Sequence, residues 1–77
     1  MLRDNMFTVY RITNIINKKT YIGVHKTSNP NDSYMGSGLA IKAAIHKYGR
    51  ENFYKEILLI TEDKQQAYDL EMELITN

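Results

Sequence analysis

The chain has 77 residues, which is enough for one domain around one core and leaves no room for a second module. Hydrophobic residues make up 43% and charged residues 25%, with one Pro and four Gly, a balance that excludes a disordered tail. Cysteine is absent, which excludes a disulfide framework and a thiolate zinc site, and the net charge of +1 conceals an uneven distribution.

Residues 1–50 carry eight Lys/Arg against two Asp/Glu, and residues 51–77 carry two against seven, so the halves stand at +6 and −5. A basic half suits a phosphate backbone and an acidic half offers a metal ligand, although solvated surface charge alone also produces such splits. No apolar run approaches the roughly 20 residues of a membrane span. The polar start Met1-Leu2-Arg3-Asp4-Asn5 is unlike a signal peptide, so a cytoplasmic protein with no membrane partner is expected.

Met6-Phe7-Thr8-Val9-Tyr10-Arg11-Ile12-Thr13 and Thr20-Tyr21-Ile22-Gly23-Val24-His25 are rich in β-branched and aromatic residues, and both read as strands. Between them Asn14-Ile15-Ile16-Asn17-Lys18-Lys19 holds two Asn that tolerate the left-handed conformations of a turn, which predicts an antiparallel hairpin. Alternation puts Thr8, Tyr10 and Ile12 on one face of the first strand, and Tyr21, Gly23 and His25 on one face of the second. Periodicity does not fix the register, so a shared face for the two tyrosines is an assumption at this point.

Lys26 to Gly36 holds Ser, Asn, Pro, Asp and Gly in quick succession and reads as a loop of about ten residues. A loop that long in so small a domain is functional or a mobile connector. Ser37 is placed to cap a helix in which Ile41, Ala44, Ile45 and Tyr48 form an apolar face, with Gly49 ending it. Lys42 and His46 lie four apart on another face with Lys47 beside them, which offers positive charge to a nucleic-acid backbone or simply solvates the helix.

Phe53 to Ile60 reads as a third strand, and its nearly continuous Ile57-Leu58-Leu59-Ile60 end predicts burial on both sides, as in a central strand. Thr61 is expected to cap the last helix, with Glu62 and Asp63 favouring the positive end of its dipole. The elements thus run β-β-α-β-α, an α+β arrangement.

In the last helix Ala67, Tyr68, Leu70, Met72, Leu74 and Ile75 make one apolar arc at 100° per residue, and Glu71 projects within it. Asp69 and Glu73 point away, where a solvated carboxylate belongs. A carboxylate taken toward a core costs several kcal/mol unless it has a Lys/Arg partner, a proton or a cation. Six tyrosines is a high count, and Tyr34, Tyr48, Tyr54 and Tyr68 read as core or boundary. Tyr10 and Tyr21 sit on paired strands, where a phenol facing a carboxylate positions or deprotonates water, or where it merely packs.

At these residues the sequence resembles the GIY-YIG endonuclease family, named for two short strands that here are Thr8-Val9-Tyr10 and Tyr21-Ile22-Gly23. The second triplet is intact, while the first keeps only its Tyr. The resemblance rests on an ordered set: Tyr10-Arg11-Ile12-Thr13-Asn14, Asn17-Lys18-Lys19-Thr20-Tyr21-Ile22-Gly23, Lys47-Tyr48-Gly49 with Phe53, and Ala67 to Glu71 to Leu74-Ile75. It is nearest to phage-type, free-standing homing-like members, which share Gly23-Val24-His25-Lys26 and Tyr34-Met35-Gly36-Ser37-Gly38.

The resemblance implies a small three-stranded antiparallel sheet flanked by helices, and cutting of double-stranded DNA with one divalent cation, Mg²⁺ or Mn²⁺, and no small-molecule cofactor. Glu71 matches the family's metal-binding Glu, in agreement with the wheel. Tyr10 or Tyr21 would orient or deprotonate the attacking water, and Gly23 would keep its structural place in the motif.

Family members commonly place an Arg roughly ten residues beyond the second triplet, whereas Asn29-Pro30-Asn31-Asp32-Ser33 has none. His25, with Lys26 after it, is the expected replacement as proton donor and phosphate-facing cation, with Arg11 and Lys42 as weaker candidates. The chain ends at Asn77 where the family often continues, so the resemblance leaves room for truncation at the C-terminus. Two other classes stay open: a nucleic-acid-binding module that keeps the fold without the chemistry, and a protein-interaction domain using a tyrosine-rich surface.

Overall fold

The computed structural model describes residues 6–76, so the polar start Met1 to Asn5 and the terminal Asn77 lie outside it. Strands β1 (Met6–Asn14), β2 (Thr20–Thr27) and β3 (Phe53–Thr61) form one antiparallel sheet in the order β2-β1-β3. Helix α1 (Leu39–Tyr48) connects β2 to β3 through a short 3-10 turn at Arg50–Asn52, and α2 (Lys64–Thr76) follows β3. The architecture is α+β with the expected β-β-α-β-α order. Among the described residues, no helix is long and apolar enough to cross a membrane.

The central strand is β1, not β3. Val9 and Ile12 have no exposed surface and Thr8, Tyr10 and Asn14 are buried, whereas β3 forms an edge on which Ile60 is 51% exposed. The apolar run in β3 reflects a bulge instead: Val9 pairs with Leu59 but Tyr10 pairs with Ile57, which leaves Leu58 between two pairs and breaks the alternation. Polar residues in β1 disguised its place. The Thr8 hydroxyl donates to the His25 carbonyl at 3.3 Å, and the Arg11 guanidinium reaches Glu56 on β3 at 3.0 Å.

The hairpin forms where expected, but its asparagines work through their side chains. Asn14 Oδ1 accepts the Ile16 N–H and Asn17 Oδ1 accepts the Lys19 N–H, each at 2.9 Å, while Lys18 takes the left-handed conformation at φ 68. Helix α1 starts after Gly38 with no side-chain cap, so Ser37 does not play that part. Its apolar face packs as predicted: Ile41 is buried with Tyr10, Ile12 and Phe53, and Ala44, Ile45 and Tyr48 lie against that cluster. Gly49, at φ 89, closes the helix with its N–H on the Ile45 carbonyl.

Asp63, rather than Thr61, caps α2: its Oδ1 accepts the N–H groups of Gln65 and Gln66 at 3.0 and 3.3 Å. Thr61 Oγ1 accepts the Asp63 N–H and so sets up the cap. The helix lies against all three strands. Its buried stripe is narrower than the predicted arc, because Ala67 is buried and Leu70, Glu71 and Leu74 are half-buried, while Tyr68, Met72 and Ile75 are exposed. Glu71 therefore stands in the middle of the i, i+3, i+4, i+7 set that faces inward.

Candidate active site

The strand register decides which side chains meet. Tyr10 pairs with Gly23, Ile12 with Tyr21 and Thr8 with His25, and directly opposed residues share a face of the sheet. The face assumed for the two tyrosines is thus the observed one, and His25 shares it. The Tyr10 ring crosses Gly23 so closely that a Cβ there would overlap the Tyr10 hydroxyl and Cζ. Gly23 is a steric requirement for the placement of Tyr10. Gly36, at φ 95, also borders the hydroxyl, which a Cβ would meet at 3.4 Å.

Burial pushes the Tyr10 phenol up to about 12, and the neighbouring Tyr34 phenol and the Glu71 carboxylate push it in the same direction. Tyr10 is consequently a neutral hydrogen-bonding group at any ordinary pH. Beside it opens a cleft of about 250 Å³, bordered by Tyr10, Ile12 and Tyr21 from the sheet, Gly36 and Gly38 from the loop, Ile41 from α1 and Ile75 from α2.

Glu71 lies one helical turn before Ile75 and acts electrostatically on Tyr10. Among the described residues it has no hydrogen-bond or ion-pair partner. The structural salt bridge that would account for a carboxylate in an apolar stripe is absent among them. No group of three or more His, Asp and Glu side chains gathers as a metal cage among the described residues either, so a cation here would rely on this one carboxylate.

The other wall of the site is tightly bonded. His25 Nε2 lies 3.1 Å from Asp32 Oδ2, and its ring stacks on Tyr34 with centroids 3.7 Å apart and planes 5° from parallel. Tyr34 meets Tyr10 edge-on at 5.9 Å. Lys55, paired with Ile12 and so on the same sheet face, sends its amine to the Asp32 carbonyl, the Asp32 carboxylate and the Tyr34 carbonyl. Burial alone would raise the Asp32 carboxyl. Hydrogen bonds from the Thr27 hydroxyl, the Tyr34 N–H, Lys55 and His25 together outweigh it and hold the group at about 2.

Sequence reasoning missed Asp32, Tyr34 and Lys55 in this wall. A signal for Lys55 existed: it stands between Phe53 and Ile57 on one strand face, a charge at an inward position like Glu71. The structure does not bring Lys26 to the site, contrary to expectation, because it pairs with Phe7 on the face opposite His25 and is exposed. Arg11 likewise lies on the face opposite Tyr10, engaged by Glu56. Lys42, His46 and Lys47 are exposed on α1, outside the cleft, with the Lys47 amine 5.2 Å from the centre of the Tyr48 ring.

The fold is thus an α+β domain whose three-stranded antiparallel sheet carries Tyr10, Tyr21 and Gly23 on one face, with Glu71 on the helix that follows it. The chain belongs to the GIY-YIG family, matching the GIY-YIG catalytic domain over residues 6–77. It is 56% identical over 70 residues to a protein named putative endonuclease segC of Enterobacteria phage T4, covering 91% of this chain and 35% of that protein. Putative endonuclease segB of the same phage is 51% identical over 70 residues, covering 91% and 32%. Endonuclease segA is 48% identical over 67 residues, covering 87% and 30%. The chain thus spans about a third of the length of the curated relatives it matches. No solved structure matches it.

Proposed function

We propose that this domain is a divalent-metal-dependent DNA endonuclease that hydrolyses phosphodiester bonds, with Tyr10, Tyr21, His25 and Glu71 at the reacting phosphate. The observation that carries this reading is Glu71, a half-buried carboxylate in an apolar stripe with no hydrogen-bond or ion-pair partner among the described residues, which acts electrostatically on the neutral Tyr10 phenol bordering the cleft. A lone hard carboxylate fits a small oxygen-seeking cation that keeps most of its waters, so Mg²⁺ or Mn²⁺ suits it. When bound, such an ion supplies Lewis-acid stabilisation of charge on the phosphate and the leaving oxygen.

The protein groups divide the remaining work. Tyr10, held neutral, donates a hydrogen bond that orients water or a phosphate oxygen. Tyr21, the other phenol bordering the cleft, would take the proton of the attacking water as a phenolate, becoming a neutral phenol as the water oxygen bonds to phosphorus. The bond to the leaving oxygen breaks, and His25, as the imidazolium, would give that oxygen a proton and become the neutral ring. Lys42, His46 and Lys47 offer the approaching duplex an exposed cationic helix face.

Plasmid cleavage by the purified protein tests this reading. Cutting with Mg²⁺ that stops on chelation and is lost in a folded Glu71→Ala variant is the expected result, and full activity in that variant overturns it. A second reading, a nucleic-acid-binding module without chemistry, is favoured by one observation: neither described arginine borders the cleft, since Arg11 is engaged by Glu56 and Arg50 by the Ser33 carbonyl. Salt-sensitive DNA binding that ignores metal and yields no cut ends distinguishes it.

A further inference from the structure

Lys55 has three N–H donors, and the structure supplies three acceptors: the Asp32 carbonyl at 3.0 Å, the Asp32 carboxylate at 3.3 Å and the Tyr34 carbonyl at 2.7 Å. With its side chain only 13% exposed, the amine is fully engaged and has no donor left for a phosphate. Whatever it contributes must pass through residues 32–34. Asp32 in turn receives the Thr27 hydroxyl at 2.9 Å, the Tyr34 N–H at 3.2 Å, Lys55 and His25 Nε2.

An ionised carboxylate only accepts hydrogen bonds, so the His25 nitrogen facing it must carry the hydrogen. In the neutral ring the lone pair then sits on Nδ1. Stacking on Tyr34 opposes rotation of the ring out of this arrangement. The 29–33 stretch, which lacks an arginine, thus provides an anion that orients a histidine.

We propose that Asp32 and Lys55 are positioning residues: Lys55 pins the 32–34 segment, and Asp32, through Nε2, fixes His25 so that Nδ1 is the nitrogen that exchanges protons at the site. This rests on the nuclease reading given above. Neither residue touches the substrate, and both act through His25.

Cleavage rates of His25→Ala, Asp32→Asn and the double variant, together with ¹⁵N spectra of the His25 ring in the unsubstituted chain, test the proposal. His25→Ala is expected to slow cutting by about 100-fold, as for loss of one acid-base group, and Asp32→Asn by about 10-fold. The double variant should be no slower than His25→Ala, because Asp32 has nothing left to position. Losses that multiply to about 1,000-fold overturn the proposal, as does an Asp32→Asn variant at full rate.

The ring spectrum is independent of cutting and of whether a variant folds. It should show the neutral ring protonated at Nε2, and an Nδ1-protonated or mixed ring overturns the proposal. An unsubstituted chain that does not cut while its ring is protonated as expected sinks the nuclease reading, and the positioning role with it. Cutting with multiplied losses sinks the positioning role alone.

Discussion

The two walls of the candidate site, which flank Tyr10 on either side of the cleft lining, are held in opposite ways. On the loop side, Lys55 bonds Asp32 and the Tyr34 carbonyl, Asp32 holds His25, and Tyr34 stacks on His25 and meets Tyr10 edge-on. On the α2 side, Glu71 is placed only by the packing of Ala67, Leu70 and Leu74 and has no polar partner among the described residues. A saturated network defines geometry and resists change, because removing one member strands the others. An unsatisfied carboxylate contributes little to the fold and keeps its coordinating capacity for a ligand. Substitutions on the two sides should therefore fail differently.

The largest effect belongs to Glu71. Glu71→Ala should lower the cleavage rate by at least about 10²–10³-fold, the range seen when a single charge-stabilising group is lost. Thermal unfolding should show the variant at least as stable as the parent, since among the described residues no salt bridge goes with it. A variant that unfolds would mean that Glu71 is structural and that the two walls are alike.

Gly23→Ala should do the reverse. The new methyl would overlap the Tyr10 hydroxyl, so either the ring or β2 must move, at a cost of about 1–3 kcal/mol in urea denaturation. Combining it with Tyr10→Ala, which removes the obstructing ring, should give a loss smaller than the sum of the two. Strict additivity would show that the close approach of Tyr10 to β2 is not what requires glycine.

These contrasts also show how far the sequence could be read. The strands, the hairpin, the shared face of Tyr10, Tyr21 and His25, and the inward position of Glu71 follow from alternation and a helical wheel, with the family resemblance supplying the register. The central strand did not follow, because a bulge at Val9/Tyr10 turned the β3 alternation into a continuous apolar run that imitates a buried strand. The loop wall was out of reach for another reason. Lys55 and Asp32 are 23 positions apart, and nothing local in a strand lysine names its partner. Lys26 failed on parity: it neighbours His25 in sequence, which in a strand sends it to the other face.

Stability against pH separates the walls at a smaller scale. Tyr10 is raised from 10.0 to about 12, so its contribution is complete below about pH 10 and is lost as pH rises toward 12. The drop amounts to roughly 2 kcal/mol. Asp32 is lowered from 3.8 to about 2, so its contribution is complete above about pH 4 and is lost as pH falls through 2. Urea titrations across both windows should show the alkaline loss disappear in Tyr10→Phe and the acid loss disappear in Asp32→Asn. A variant that leaves its limb unchanged would remove that group from the network.

The smallest effect concerns α1, which belongs to neither wall. Lys42 and Lys47 are exposed, and a phosphate contact from either is sequence-independent and screened by salt. Lys42→Ala and Lys47→Ala should each reduce the slope of log affinity against log salt by about 1, with less than tenfold weakening of binding at moderate salt. Neither should change the rate at saturating DNA, because neither lies at the cleft. If the slope is unchanged while the saturated rate falls, α1 acts by supporting Ile41 beneath the tyrosines. The basic helix face would then be solvated surface, and the duplex would have to be held by other cations.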